Sequence, residues 1–243
     1  MHVIIERTLK DASQYFQNFL IHEYSERTLL HEIDARVKLI STLIFILISI
    51  STFETQKIVF VIVSLLLIAK FSGLSLKRIF ERVWLLSLFS LIVVSPFFLR
   101  EPFYPVIFTL RTFSSLIALQ LLIMSTEFPE LISALRFFLV PKAFTSALWL
   151  TYRYAILMFQ ELLTLIMARE SRRVKIGGHF EFLRKGGESL GLFFLRSLER
   201  AERIELAMKL RGGEILLPKG KIGAVDLLYL LISMFIFIWW VII

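Results

Sequence analysis

The side chains that most often bind metals or carry out covalent catalysis are scarce in this chain. It has no cysteine, which excludes disulfides, thiolate zinc sites and thiol catalysis. Its four histidines are scattered, and no two of them lie four residues apart. Motifs for phosphate binding, for a zinc protease or for a nucleophilic serine are absent as well. We therefore predict no metal site, no bound cofactor and no enzymatic activity.

Two arginines are better candidates for a functional site, because each ends a charged helical stretch before a glycine-rich turn. An arginine near a helix C-terminus can simply favour the helix dipole, by less than about 1 kcal/mol. Its guanidinium can also pair bidentately with a carboxylate or bind the C-terminus of a helix in a partner protein. Two of them on successive helices favour docking. The segments are Ser171-Arg172-Arg173 and Leu210-Arg211-Gly212.

The second arginine ends a two-faced helix predicted between residues 189 and 213. Charged residues lie off its apolar stripe, and the spacings of Glu199 to Arg203 and of Glu205 to Lys209 predict i, i+4 ion pairs. The stripe should pack the helices against each other or against a partner subunit. Its members recur at steps of three and four or their sums: Leu190, Phe194, Ala201, Ile204 and Met208.

The composition places most of the chain in a membrane. Of the 243 residues, 57% are hydrophobic and 24 are Phe, with a mean hydropathy of +0.74. Soluble domains are about 45–50% apolar. The net charge of +8 would suggest nucleic acid in a soluble protein. In a membrane protein, basic cytoplasmic loops explain it, and no nucleic-acid-binding module is present.

The predicted fold is all-α: a polytopic membrane protein with about five transmembrane helices and a cytoplasmic coupling-helix insert. Residues 1–36 form an amphipathic cytoplasmic segment, residues 37–125 hold four transmembrane helices, residues 126–223 form the cytoplasmic side and the coupling helices, and residues 224–243 form a last transmembrane helix. Asp34 is the predicted N-cap of the first span, and Pro96 predicts an irregular close of the third. The spans are 37–53, 58–71, 84–99, 103–124 and 224–243.

A further long apolar helix is predicted at 143–168, within the cytoplasmic-side region. Arg153 should face the protein interior or extend to the interface, because a charge facing lipid is costly. Glu161 could join a polar network with Arg153 or Gln160, and we predict a structural role for both charged residues. Arg111, inside the fourth span, receives the same interpretation.

Basic residues and glycines set the orientation and the connections. The first-to-second and third-to-fourth loops carry one basic residue each, whereas sixteen lie between residues 136 and 221. This bias predicts a cytoplasmic N-terminus and an outside C-terminus. Nine of the ten glycines fall between 177 and 223 and predict turns at 177–178, 186–187 and 212–213.

Four segments resemble a known family, the transmembrane T component of energy-coupling factor (ECF) transporters, including its CbiQ-type members. LHEIDARVKLI at 30–40 is similar to the family's LHxLDPRxKLL, with Ala35 in place of proline. FPELISALRFFLVPK at 128–142 is similar to PELxxALRxLxLPK, and TYRYAILMFQEL at 151–162 resembles ALRFIPLLLEE. SLERAERIELAMKLRGG at 197–213 resembles RAERVxxAMxARG and is the most specific of the four.

The resemblance implies a non-catalytic coupling subunit in a prokaryotic inner membrane. Such a subunit joins two ABC ATPase subunits, which bind ATP and Mg²⁺, to a small membrane S subunit that binds cobalt, nickel or a vitamin. Two Ala-Arg-Gly-type motifs end the family's coupling helices, and they fall here on 171–173 and 210–212. Both keep the arginine and lose the alanine. Ala168-Arg169 lies one turn before the first motif, so its register stays open.

Other classes of function remain as alternatives at this stage. A channel or carrier working alone would need more polar residues in its spans. An intramembrane enzyme would need paired acids, histidines or cysteines at matching depth. A scaffold that recruits soluble helices would show no motion that depends on nucleotide.

Overall fold

The computed structural model describes residues 29–99, 103–171, 179–212 and 223–242. Over these ranges the chain is all-α, as the sequence predicts, with short 3-10 turns at Leu29–Glu32 and Ser95–Leu99. Most of the predicted amphipathic N-terminal segment lies outside the described residues. The helices are α1 (Ala35–Ser51), α2 (Thr55–Phe71), α3 (Leu76–Val94), α4 (Tyr104–Ser125), α5 (Phe128–Phe137), α6 (Lys142–Ser171), α7 (His179–Leu210) and α8 (Ala224–Ile242).

The helices divide into two compact units. Helices α1 to α5 together with α8 form the first, here termed the membrane unit. Helices α6 and α7 form the second, here termed the hairpin. Inside the membrane unit, α4 packs against α1, α2 and α3, while α8 packs against α1 and α2.

The membrane unit has an apolar core and an apolar outside. Large side chains such as Phe45, Leu65 and Ile117 are buried between its helices. Others as large, including Phe89 and Phe235, are exposed on α3 and α8. Large apolar side chains on both faces are expected of helices that meet protein on one side and lipid on the other.

Three helical segments are long and apolar enough to cross a membrane among the residues that the structure covers. They are Leu76–Phe98, Tyr104–Ser125 and Ala224–Val241. The sequence predicted five spans, two more than these three. Helices α1 and α2 have 17 residues each, which is about 25 Å of helix and the lower limit for a span.

The boundaries of α1 and α3 test two local predictions. Asp34 is the N-cap of α1, and its side chain accepts a hydrogen bond from the Arg36 amide at 2.9 Å, which confirms the predicted cap. Helix α3 starts at Leu76, eight residues before the predicted span at Trp84. Its first two turns are amphipathic, with Ile79 buried and Lys77 exposed, so an apolar window misses them. The 3-10 turn at Ser95–Leu99 confirms the irregular close predicted at Pro96.

The hairpin consists of two long antiparallel helices. Arg169 lies opposite Ser189, while Glu161 lies opposite Arg200, so residue numbers fall on α6 as they rise on α7. The turn predicted at Gly186-Gly187 is wrong, because both glycines lie inside α7. Each costs about 1 kcal/mol of helix propensity, which the contacts of α7 with α6 offset.

Candidate coupling site

The C-terminal tip of α7 carries the second predicted motif. Arg211 donates its amide to the carbonyls of Ala207 and Met208 at 3.2 and 3.1 Å, and Gly212 donates to Lys209 at 3.4 Å. Gly212 has φ of +88°, the left-handed conformation that glycine adopts without a steric penalty. The helix therefore stops at the motif. Leu210 is 89% exposed and Arg211 is also exposed, so an apolar and a cationic side chain stand together at the tip.

The neighbouring charges on α7 form ion pairs within the helix, whereas Arg211 has no such pair among the described residues. Lys209 lies 2.6 Å from Glu205, and Arg203 lies 4.0 Å from Glu199, which confirms both predicted i, i+4 pairs. The hydrogen bond and charge of Lys209 hold the pKa of the Glu205 carboxyl below its ordinary value of 4.5. Among the described residues, no carboxylate lies within 4.0 Å of the Arg211 guanidinium.

A carboxylate on α6 holds the two helices of the hairpin together. Glu161 accepts a hydrogen bond from Arg200 at 2.7 Å, and its other oxygen lies 3.9 Å from Arg196. The predicted network of Glu161 with Arg153 or Gln160 is thus replaced by a contact across the hairpin. Arg153 is exposed rather than interior, and its guanidinium lies over the ring of Trp149, 5.4 Å from the centroid.

A largely apolar groove of about 610 Å³ runs between α6 and α7. From the predicted stripe, the groove is lined by Ala201, Ile204 and Met208, which face Leu150 and Tyr154 of α6. Leu190 and Phe194, from the same stripe, are 57% and 63% exposed. The structure thus separates the stripe into one part that lines the groove and one part that remains open.

The first predicted motif begins where α6 ends, at the start of the connection to α7. Ser171 is the last residue of α6; it is exposed, and its hydroxyl donates to the Ala168 carbonyl at 2.9 Å. Arg172 and Arg173 lie outside the described residues. The two motifs are consequently placed at the C-terminal ends of two successive helices, as far as α6 and α7 define them.

A buried ionic cluster in the membrane unit was not predicted from the sequence. Asp226, 2% exposed, accepts the backbone amides of Asp34 and Gly223, each at 2.6 Å. Lys38, also 2% exposed, donates its ammonium to the Ser125 carbonyl at 2.7 Å. The first turn of α1 is thereby tied to the start of α8 and to the end of α4. An acid at the third position of a helix, as in GAVD, was the available signal for Asp226.

Arg111 of α4 is satisfied inside the membrane unit. Its Nε donates to the Ser49 carbonyl at 3.2 Å, and its guanidinium lies over the Phe53 ring, 4.4 Å from the centroid. The Ser49 and Ser114 hydroxyls are 2.7 Å apart nearby. These contacts agree with the structural role predicted for Arg111, since each polar group has a protein partner.

The described ranges contain no cluster of three or more His, Asp or Glu side chains that could hold a metal ion.

Comparison with known proteins gives two findings. The profile of the CbiQ family, described as cobalt transport protein, matches residues 26–222. An uncharacterized protein of Methanocaldococcus jannaschii is 25% identical over 261 residues, which covers 96% of this chain and 89% of that protein. The profile match covers both the membrane unit's first five helices and the whole hairpin. The chain therefore belongs to the CbiQ family of cobalt transport proteins, and it is a membrane protein of a transport system.

Proposed function

We propose that this chain is the T subunit, the coupling subunit, of an ECF-type ABC importer. In this role it links two ATPase subunits to a substrate-binding S subunit in the cell membrane. The chain itself hydrolyses nothing, and ATP with Mg²⁺ is bound by the partner ATPases. The CbiQ family membership supports a place in a membrane transport complex.

The observation that carries the proposal is the tip of α7. An arginine whose charge is not neutralised by the described residues stands beside a leucine that is 89% exposed. A cationic fork beside an apolar knob fits a groove that has both a carboxylate and an apolar wall. Left in water, the exposed leucine has no favourable contact, so the tip is better suited to a partner than to solvent.

The hairpin supports a mechanical role for that tip. A helix of 32 residues is about 48 Å long, and Glu161 ties it to α6 through Arg200, about two thirds of the way along α7. Movement of the tip by an ATPase would therefore carry the hairpin as one body. The exposed Leu190 and Phe194 offer the hairpin a further apolar surface for the S subunit.

The experiment that tests docking is Arg211→Glu in the complete transporter. We expect ATP-dependent uptake to be lost, while the variant chain still inserts in the membrane, because the change affects only an exposed side chain. Arg203→Glu is the matched control: it makes the same change in charge two turns earlier, on a residue already paired with Glu199. Full uptake and normal ATPase association in Arg211→Glu would refute the docking role. Arg172→Glu should act in the same way.

The cargo belongs to the S subunit in this proposal. Uptake of cobalt, nickel or a vitamin by the assembled complex identifies it, and the family's description makes cobalt the first ion to test. A different candidate, a channel or carrier working alone, predicts flux through the purified chain in liposomes without any ATPase. Such flux would replace the coupling role with conduction.

A further inference from the structure

The turn after α5 carries an exposed apolar tip with an uncommon backbone. Phe137, Phe138 and Leu139 form it, and are here termed the aromatic tip. Leu139 is 94% exposed and has φ of +63°, the left-handed region that leucine rarely adopts. The two phenyl rings pack edge to face with centroids 5.8 Å apart. A strained turn that pushes a leucine outward suggests that something apolar lies against it.

The contacts of α5 fix the height of this tip in the membrane unit. Before α5, Ser125 accepts a hydrogen bond from Lys38 of α1. At the end of α5, the ring of its last residue, Phe137, lies 5.3 Å from the guanidinium of Arg36, also on α1. Those two α1 residues differ by only about 3 Å in rise, although α5 itself is about 15 Å long. Helix α5 therefore crosses the end of the bundle instead of extending away from it, and its buried Ile132 and Ala134 face inward.

The aromatic tip lies at the level where the span formed by α4 ends. Helix α4, one of the segments able to cross a membrane, ends at Ser125, the residue bonded to Lys38. The aromatic tip is at the level of the same first turn of α1, so it lies where hydrocarbon gives way to headgroups. Aromatic side chains and leucines at this depth gain by entering the acyl boundary.

The charge near the tip selects the kind of surface. Arg136 precedes the tip in the last turn of α5 and is exposed. Arg36 stacks on the Phe137 ring, and its Nε lies 3.9 Å from the Asp34 carboxylate, so Arg136 is the basic group best placed to meet a headgroup. The acids of this segment, Glu127 and Glu130, are at the opposite end of α5. Basic groups beside an apolar tip match an anionic headgroup above acyl chains.

We propose that the aromatic tip inserts into an anionic phospholipid surface and anchors α5 flat against the membrane boundary. Leu139 and the two phenylalanines enter the acyl region, and Arg136 pairs with a lipid phosphate. This anchoring involves the membrane unit alone, so it holds or fails independently of ATPase docking.

Because the chain has no cysteine, a single introduced thiol can report on the tip. Leu139→Cys in the full chain, labelled with a nitroxide and reconstituted in phosphatidylcholine–phosphatidylglycerol vesicles, is compared with Glu202→Cys on the exposed side of α7. We expect the ratio of collisions with oxygen to collisions with a water-soluble nickel chelate to be several-fold higher at residue 139. Phe138→Cys repeats the measurement with the native Leu139 backbone intact.

The proposal fails if both tip labels collide with the nickel chelate as often as the label at residue 202 does. It also fails if the tip labels are shielded from both reagents, because the tip would then be covered by protein. The headgroup contact is tested by adding Arg136→Gln, which should lower the ratio only in vesicles containing phosphatidylglycerol. Arg203→Gln is its control and should leave the ratio unchanged; an equal drop in both would overturn the role of Arg136.

Discussion

The membrane unit and the hairpin handle their charges in opposite ways. In the membrane unit, Asp226 and Lys38 are almost fully buried, and both bond to backbone groups of other helices. On the hairpin, most charges of α7 are exposed and pair within one helix, as Glu205 does with Lys209. Glu161 joins the hairpin's two helices through its ion pairs with Arg200 and Arg196.

This difference predicts that the two units respond differently to the loss of a charge. Buried charges that bond to other elements are costly to disrupt, since a partner left alone remains unpaired out of water. Exposed i, i+4 pairs contribute only about 0.3–0.5 kcal/mol each and can be rearranged easily. We therefore expect a lost charge to destabilise the membrane unit more than it destabilises the surface of α7.

The largest effect is expected from Asp226→Ala. The change leaves the amides of Asp34 and Gly223 without their acceptor and should lower the free energy of unfolding by about 2–4 kcal/mol. Thermal unfolding of the purified chain in detergent measures it. Asp226→Asn, which keeps one acceptor oxygen, should lose less than Asp226→Ala. Equal stability of Asp226→Ala and the unmodified chain would contradict the distinction drawn between the membrane unit and the hairpin.

A smaller loss is expected from Glu161→Gln, because its partners Arg200 and Arg196 are partly exposed. We expect about 1–2 kcal/mol, measured with Arg200→Gln in a double-mutant cycle. Glu199→Gln removes an exposed pair within α7 and is the matched control, with an effect near zero. If both variants lose the same amount, the link across the hairpin is no stronger than a surface pair.

Two glycines, one inside α7 and one just after its end, should respond with opposite signs to the same substitution. Gly212→Ala places a methyl group on a left-handed backbone and should cost about 1 kcal/mol, with fraying of the tip. Gly191→Ala lies inside the helix with open space around it and should add about 0.5–1 kcal/mol. Hydrogen exchange at residues 207–212 separates the two. A stabilising Gly212→Ala would mean that α7 does not need its glycine stop.

The smallest effect concerns pH at the end of α7. The pKa of Glu205 is depressed in the folded chain, so its pair with Lys209 stabilises α7 above the ordinary value of 4.5. That contribution is lost as the pH falls through the lower, folded pKa. The melting temperatures of the unmodified chain and Glu205→Gln should therefore differ slightly at neutral pH and converge well below pH 4.5. A difference that persists in acid would point to another cause.

Sequence reasoning succeeded where a local rule applied. The cap at Asp34, the irregular close at Pro96 and the i, i+4 pairs of α7 depend on neighbours within four residues, and all are present. It failed at Gly186-Gly187, where contacts with another helix outweighed propensity, and at the amphipathic start of α3. Helix α5 was not anticipated as a helix, since ten residues with a proline near the start give a weak periodic signal.

By itself, the order of residues determined the all-α class, the apolar segments, the membership of a transport family and the position of Arg211 at a helix end. Each of these depends on composition or on short spacings, which can be read from the linear sequence. Only the tertiary structure decided that Asp226 accepts the amide of Asp34, 192 positions away in the chain, and that Glu161 faces Arg200. It also decided which part of the stripe on α7 stays exposed. Such pairings depend on how helices cross, and packing geometry has no counterpart in local sequence pattern.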